Sequence, residues 1–333
     1  MTPNQGKLAR PAVFRVTALA LSVLLVLGFA EVFFWLFWSE PWYERLPEQQ
    51  IQRSQSAFEV GGREFVIRHP PLGLSKLPDT RRILFVGDSF TYGSGVREVD
   101  TFVSLITEKL NEESQRDGGP LYESFNAGIP ASMTSDWIHL FDSVAEGFEP
   151  DWVVVVFFLR DGVEGVTSLG QITRIRNEMA KLSGGSPLYR YSRLWRYFVD
   201  RDAQARLSDE YLGRLRRGYI GNEQQTREWR RAQANLQYLE AEAARLGARF
   251  ALVIFPVLFE LREDYPLEAA VDEILRFGNE ERMKTLSLLP AFRGRSAPEL
   301  WVSPLDQHPN AEGHTIAAQA VFEMLSASEH SGD

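Results

Sequence analysis

The chain of 333 residues contains no cysteine. Disulfide frameworks, thiolate nucleophiles, iron–sulfur clusters and cysteine-bearing zinc sites are thereby excluded, while the redox compartment stays open, because a chain without thiols suits either one. Histidine is scarce too: His69, His139, His308, His314 and His330 are the whole supply, so any imidazole chemistry must come from them. His69 and His139 have no companion at metal-ligand spacing, and neither a metal nor another cofactor is expected. No glycine-rich loop followed by Lys-Ser/Thr occurs, which leaves nucleotide chemistry without support. Positive charge is in deficit, 36 Lys and Arg against 45 Asp and Glu, and the resulting net charge of -9 argues against broad capture of nucleic acid. Internal repeats and low-complexity tracts are missing as well. With 44% hydrophobic and 24% charged residues the composition is globular, which excludes collagen, coiled coil and wholesale disorder.

One long apolar run is present. Val16 to Trp38 is interrupted only by Thr17, Ser22 and Glu31, and at about 1.5 Å per residue it reaches roughly 35 Å, enough to cross a bilayer. Lys7, Arg10 and Arg15 precede it and Glu40, Glu44 and Glu48 follow, so the positive-inside rule places the N-terminus in the cytoplasm and everything after Trp38 outside. A cleaved signal peptide ending at Gly28-Phe29-Ala30 is the rival, but the run continues through Val32 to Trp38 as a stop-transfer anchor does. Trp35, Trp38, Trp42 and Tyr43 fit an aromatic belt at the outer interface. Glu31 is costly at its depth, so it faces a protein partner or snorkels toward the outer headgroups.

Beyond the anchor, Pro41 to about Thr80 reads as a linker with a small hairpin or cap, with turns at Gly61-Gly62 and Pro70-Pro71-Leu72-Gly73. Then short apolar runs alternate with helical spacing. Arg82 to Val86, Tyr122 to Phe125, Trp152 to Phe158 and Phe250 to Phe255 read as strands, while Thr101 to Leu110, Ser135 to Ala145, Glu228 to Leu246 and Thr315 to Leu325 read as helices. Fully apolar strands in this alternation predict a parallel sheet covered on both faces, whose ligands bind beyond the carboxyl ends of the strands. Between Gly165 and about Gln225 arginine and aromatic residues concentrate, and Ser186-Pro187 opens a helix with Leu188, Tyr191, Leu194, Trp195 and Phe198 on one face. This stretch is expected to be a helical insertion packed on the core with its arginines in solvent; a lid or membrane-surface element is the alternative. The resulting division is a cytoplasmic N-terminus at 1–15, a transmembrane helix at 16–38, linker and cap at 39–80, an α/β domain at 81–328 with an insertion at 166–226, and a tail at 329–333.

Two clusters can carry chemistry. Ser89 lies in Gly87-Asp88-Ser89-Phe90-Thr91-Tyr92-Gly93, directly after a strand, where glycines permit a turn that presents a hydroxyl at the sheet edge. A serine hydroxyl needs a base, and Asp306-Gln307-His308 supplies one: His308 can take the proton and Asp306 can orient the imidazole. Asp88 is expected to bond loop amides, Asp161 to brace its loop and His314 to be structural.

Read together, these residues resemble the SGNH/GDSL hydrolases, a flavodoxin-like family of serine esterases, lipases, acetylesterases and some acyltransferases. The likeness runs over most of Ile83 to Leu325. Gly87-Asp88-Ser89 is similar to the first block, Phe125 to Ala131 to the second, Phe158 to Gly162 to the third and Asp306 to Gly313 to the fifth. Bacterial members with one membrane anchor and the pattern Phe-x-Gly-Asp-Ser-Phe-Thr-x-Gly are the most similar in sequence. The resemblance implies a three-layer α/β fold, a parallel sheet with helices on both faces, preceded here by a transmembrane helix. It implies Ser89, His308 and Asp306 as catalytic residues and the amides of Ser89 and Ala131 with the side chain of Arg160 at the oxyanion hole, supported by Asp88, Asn126, Gly128 and Asp161. Ala131 stands at the family's glycine position, Arg160 at its asparagine and Phe158 at the third block's glycine; Leu305 stands where the family often has its acid. Losing an oxyanion donor costs roughly 100- to 1000-fold in turnover, and on that footing an Asn at position 160 is expected to raise turnover about tenfold.

The function implied is ester hydrolysis on an acylated cell-envelope glycan or lipid, on the outer side of a bacterial cytoplasmic membrane. The alternatives are O-acyl transfer onto an envelope polysaccharide beside an integral-membrane partner, and a decayed scaffold or glycan-binding module.

Overall fold

The computed structural model describes residues 9–37, 56–60, 63–68, 75–163, 181, 185–303 and 306–331. His69, Lys7, Trp38, Trp42, Tyr43, the three acids after Trp38 and Leu305 lie outside them. Contacts divide the chain into two compact units, Met1–Leu46 with Ser168–Glu210, and Pro47–Thr167 with Tyr211–Asp333.

The second unit carries the sheet. After a hairpin of β1 (Ser56–Val60) and β2 (Arg63–Ile67) come β3 (Thr80–Gly87), α2 (Ser89–Tyr92), α3 (Phe102–Asp117), β4 (Leu121–Gly128), α4 (Thr134–Phe148) and β5 (Trp152–Phe158). The chain returns to this unit through α7 (Arg227–Arg245), β6 (Arg249–Phe255), α8 (Glu268–Glu280), β7 (Lys284–Ser287), α9 (Leu289–Phe292), β8 (Trp301–Ser303), β9 (Asp306–Pro309) and α10 (Ala311–Ser331). The five strands β4-β3-β5-β6-β7 pair in parallel, the second-first-third-fourth-fifth order of flavodoxin-like sheets.

Why the sheet forms is visible in its central strands. Ile83 to Phe85 and Val153 to Val155 are wholly inaccessible to solvent, as strands covered on both faces must be. Phe85 meets Phe102 of α3, ring centroids 6.1 Å apart, and α3 packs beside α10. Phe157 meets Trp137 of α4 and Trp229 of α7, at 6.2 and 5.9 Å, and Trp229 in turn meets Phe277 of α8 at 5.4 Å. These two sets of aromatics form the two outer layers. Register aligns Gly87 with Gly128 and with Val156, and Phe158 with Phe255, so the loops after β3, β4 and β5 converge at one edge.

The first unit holds α1 (Ala9–Phe37), α5 (Pro187–Tyr191) and the greater part of α6 (Arg193–Ile220), whose residues from Tyr211 onward belong to the second unit. α1 begins earlier than the sequence suggests, at Ala9, so Arg10 and Arg15 are helical. Its Val13–Phe37 stretch of 25 residues has a mean hydropathy of 2.3 and is long and apolar enough to cross a membrane. The expected single helix after Ser186-Pro187 is broken at Ser192. On its apolar face Leu188, Tyr191, Trp195 and Phe198 are 61, 74, 48 and 56% exposed, while Leu194 is half-buried.

Candidate active site

Asp88 follows β3 and caps the short helix α2. Its Oδ1 accepts the Phe90 amide at 2.8 Å, satisfying an orphan donor of the helix N-terminus and fixing Ser89 as the first helical residue. At the other end Gly93 closes α2 in the left-handed region, φ 78°, with its amide on the Ser89 carbonyl; glycine adopts that conformation without strain. The second block leans on this helix. Asn126 Nδ2 donates to the Thr91 carbonyl at 2.9 Å while its Oδ1 accepts the Gly128 amide at 3.0 Å. A Cβ on Gly128 would lie 2.1 Å from the Tyr92 nitrogen, so only glycine lets the two backbones approach.

His308 arrives from β9 and stands against the ring of Phe90 at 5.3 Å. Its Nε2 lies 2.8 Å from Ser89 Oγ and its Nδ1 2.5 Å from Asp306 Oδ1. The short hairpin β8–β9 makes this reach: the Asp306 carboxylate also accepts the His308 amide, at 3.1 Å, so an acid two residues before the imidazole turns back onto it. Burial alone would push the Asp306 carboxyl up, but the hydrogen bond and charge of His308 outweigh it and hold the pKa below the ordinary value. A serine, an imidazole and a carboxylate are thus joined in series across more than two hundred residues.

Behind Ser89 lies a buried ionic cluster. Arg160 Nη2 donates to Asp88 Oδ2 at 2.9 Å, to the Ser132 carbonyl at 3.3 Å and to Asp161 Oδ1 at 3.3 Å. Asp161 in turn accepts the Phe158 amide at 2.9 Å, closing the turn after β5. Burial first, then the charge of Asp88, push the Asp161 carboxyl well above its ordinary range, with Arg160 opposing them. Three charged side chains share this pocket with 8% exposure or less. That Nη2 group is therefore committed to two carboxylates and a carbonyl. Ala131 takes up φ 61°, the left-handed region a glycine would favour. Phe158 stacks on Phe90, centroids 4.0 Å apart, a contact no glycine could make.

Sequence reasoning did not single out Arg68, Ser132 or Tyr219. Arg68, 2% exposed, donates through Nε to the Tyr92 carbonyl at 2.5 Å and through Nη2 to those of Gly93 and Val96 at 2.6 and 2.8 Å. A cation here satisfies the carbonyls at and just beyond the end of the Ser89 helix and complements its dipole; nothing in the local pattern of the linker could announce this. Tyr219 donates its hydroxyl to the Leu159 carbonyl over Gly162. His314 is fully buried and stacked on Phe102, its Nδ1 accepting the Phe102 amide at 3.1 Å; burial, then the nearby Arg68, push its pKa down to about 3. Among the described residues no group of three or more His, Asp or Glu is placed to hold a metal ion. A groove of about 630 Å³ lined by Lys76, Thr80, Arg81, Gly118 and Asp151 lies at the amino ends of β3 and β5, away from Ser89.

No protein-family model matches the chain, and no curated protein matches it. Among solved structures, an acetylxylan esterase from Geobacillus stearothermophilus is 15% identical at a TM-score of 0.44, over 73% of this chain and 93% of that one. A two-domain esterase active on acetylated mannans is 14% identical at 0.44, over 74% and 49%. An alpha/beta hydrolase enzyme from the metagenome of Lake Arreo, Spain, is 15% identical at 0.43, over 73% and 94%. At such scores these likenesses do not bear on what this chain does.

Proposed function

We propose that the chain is a serine esterase of the SGNH/GDSL kind, removing an ester-linked acyl group from a cell-envelope glycan or lipid. The observation that carries this reading is the series Ser89 Oγ, His308 Nε2 and Asp306 Oδ1, spaced 2.8 and 2.5 Å apart at the carboxyl edge of the sheet. In the reaction Ser89 Oγ attacks the ester carbonyl and its proton passes to His308 Nε2. Asp306 holds the imidazole by Nδ1 and stabilises the imidazolium that forms. The amides of Ser89, at the N-terminus of α2, and of Ala131 receive the oxyanion. Arg160 serves by fixing Asp88 and the Ser132 carbonyl rather than by donating to the oxyanion. Collapse of the tetrahedral adduct expels the alcohol, which takes the proton from His308; water activated by the same imidazole then releases the acid and restores Ser89. The apolar helix α1 supports attachment to the bacterial cytoplasmic membrane, with the sheet domain on the outer side by the charge asymmetry around it.

Hydrolysis of p-nitrophenyl acetate by the full chain tests this reading. Ser89→Ala and His308→Ala lower turnover by several orders of magnitude, and Asp306→Asn by somewhat less. Equal turnover in wild type and Ser89→Ala would remove the proposal. An unaffected Asp306→Asn would leave only a Ser-His pair.

A further inference from the structure

Glu31 has a partner inside its own chain. Its Oε1 accepts the Arg193 amide at 2.6 Å, and its Oε2 accepts the Ser192 hydroxyl at 2.7 Å and the Leu194 amide at 3.2 Å. Ser192 Oγ meanwhile accepts the Trp195 amide at 3.0 Å. The first three amides of α6 are thus satisfied, two of them by a carboxylate on the apolar helix, where a negative charge also complements the helix dipole. Arg193 tightens the joint: its guanidinium donates to the Trp35 carbonyl at 3.1 Å and lies 4.0 Å over the Trp35 ring, and Phe34 meets Tyr197 at 5.0 Å.

This joint sets a depth. A hydrocarbon core of about 30 Å takes up about twenty helical residues, so counting from Val16, the first residue after Arg15, its far boundary falls at Trp35, one turn beyond Glu31 and in contact with Arg193. The start of α6 is therefore held at the level where the apolar helix leaves the bilayer. At that level α5 and the first two turns of α6 present Leu188, Tyr191, Trp195 and Phe198, all exposed, and between Pro187 and Arg201 the chain carries four arginines against one aspartate. The stripe stops where Arg201, Asp202 and Arg206 turn the exposed face polar. Aromatic and aliphatic side chains flanked by arginine, at the start of a helix held at the boundary, match the headgroup zone of a phospholipid surface.

We propose that the Leu188–Phe198 face is a membrane-binding surface, seated in the headgroup zone of the leaflet from which α1 emerges and held there by the Glu31 cap. The occupant is the lipid itself, with arginine facing headgroup phosphate. Because the chain has no cysteine, single labels test this directly. Full-length Tyr191→Cys, Phe198→Cys and Asp209→Cys proteins, each carrying an environment-sensitive nitrobenzoxadiazole dye, are reconstituted into vesicles of phosphatidylcholine and phosphatidylglycerol. Labels at 191 and 198 are to be quenched at least twofold by a nitroxide near the headgroup end of the acyl chain and shielded from iodide, whereas the label at 209 responds to iodide alone. Iodide quenching at 191 and 198 equal to that at 209 would overturn the proposal, since the face would then lie in water. Shielding from both quenchers would overturn it in favour of a covering protein. Adding Glu31→Leu to the label at 198 is to halve the nitroxide quenching; undiminished quenching would refute the part assigned to the cap.

Discussion

Replacing Arg160 with Asn exposes the difference between two readings of the third block. From the pattern of motifs alone, Asn restores a neutral oxyanion donor and turnover rises. The geometry reverses the sign. Arg160 Nη2 holds Asp88 Oδ2 at 2.9 Å and Asp161 Oδ1 at 3.3 Å, in a pocket where the two carboxylates are at most 1% exposed. An Asn side chain carries no charge, so two buried carboxylates lose their common cation. Removing one member of a buried ionic group costs about 3–5 kcal/mol, a large share of the 5–15 kcal/mol that typically separates folded from unfolded chains. The loss depends on pH. Asp161, already pushed up by burial and by Asp88, is pushed further, so the folded variant binds a proton that the unfolded chain has released above about pH 4. A carboxyl whose folded pKa is raised makes stability fall as pH rises from that value through the folded pKa. Asp88 also anchors the first turn of the Ser89 helix through the Phe90 amide, so turnover on p-nitrophenyl acetate falls at least tenfold. Urea unfolding of the full chain in detergent micelles, followed by tryptophan fluorescence at pH 5 and pH 8, measures the first effect. A variant within about 1 kcal/mol of wild type at both pH values, or one with raised turnover, would refute this reasoning.

Two further outcomes follow from the buried groups around the Ser89 helix. His314, with a pKa near 3 in the folded chain and about 6.5 unfolded, stays neutral while the unfolded chain takes up a proton; wild-type stability therefore drops by up to about 1.4 kcal/mol for each pH unit below about 6.5. His314→Asn, which keeps an acceptor for the Phe102 amide, flattens that slope in urea titrations while leaving esterase turnover within about threefold. Arg68→Met strips a fully buried cation from the Tyr92, Gly93 and Val96 carbonyls, lowering stability by about 2–4 kcal/mol and turnover more than KM, with Arg68→Lys recovering part of both.

Much of the sheet is legible in the sequence because its central strands are buried on both faces and so read as unbroken apolar runs; Trp152–Phe158 is found at the bounds its composition marks. The edge strand β7, Lys-Thr-Leu-Ser, has one side chain exposed and three half-buried, so it carries neither an apolar run nor strict alternation, and it escaped notice together with α8 before it. The first block and the Asp306-Gln307-His308 cluster could be singled out locally, since a strand, a turn and a short-range acid–imidazole pair are local features. Arg160 could not, because its carboxylate partner Asp88 is 72 residues away and a guanidinium at an asparagine position gives no sign of being already paired. Glu31 posed the same difficulty. Its cost in an apolar helix was plain, but its partners at Ser192 to Leu194 lie about 160 residues further along, and the turn they form exists only because the helix after Pro187 is interrupted.

The most direct test of the central claim is labelling of the full chain in membranes with a fluorophosphonate, which reacts only with a serine whose proton has an acceptor. The account predicts a single adduct, mapped by peptide mass analysis to Ser89, absent from Ser89→Ala and formed at least a hundredfold more slowly in His308→Ala. Folded wild-type protein that takes up no label, or label that persists in Ser89→Ala, would contradict it.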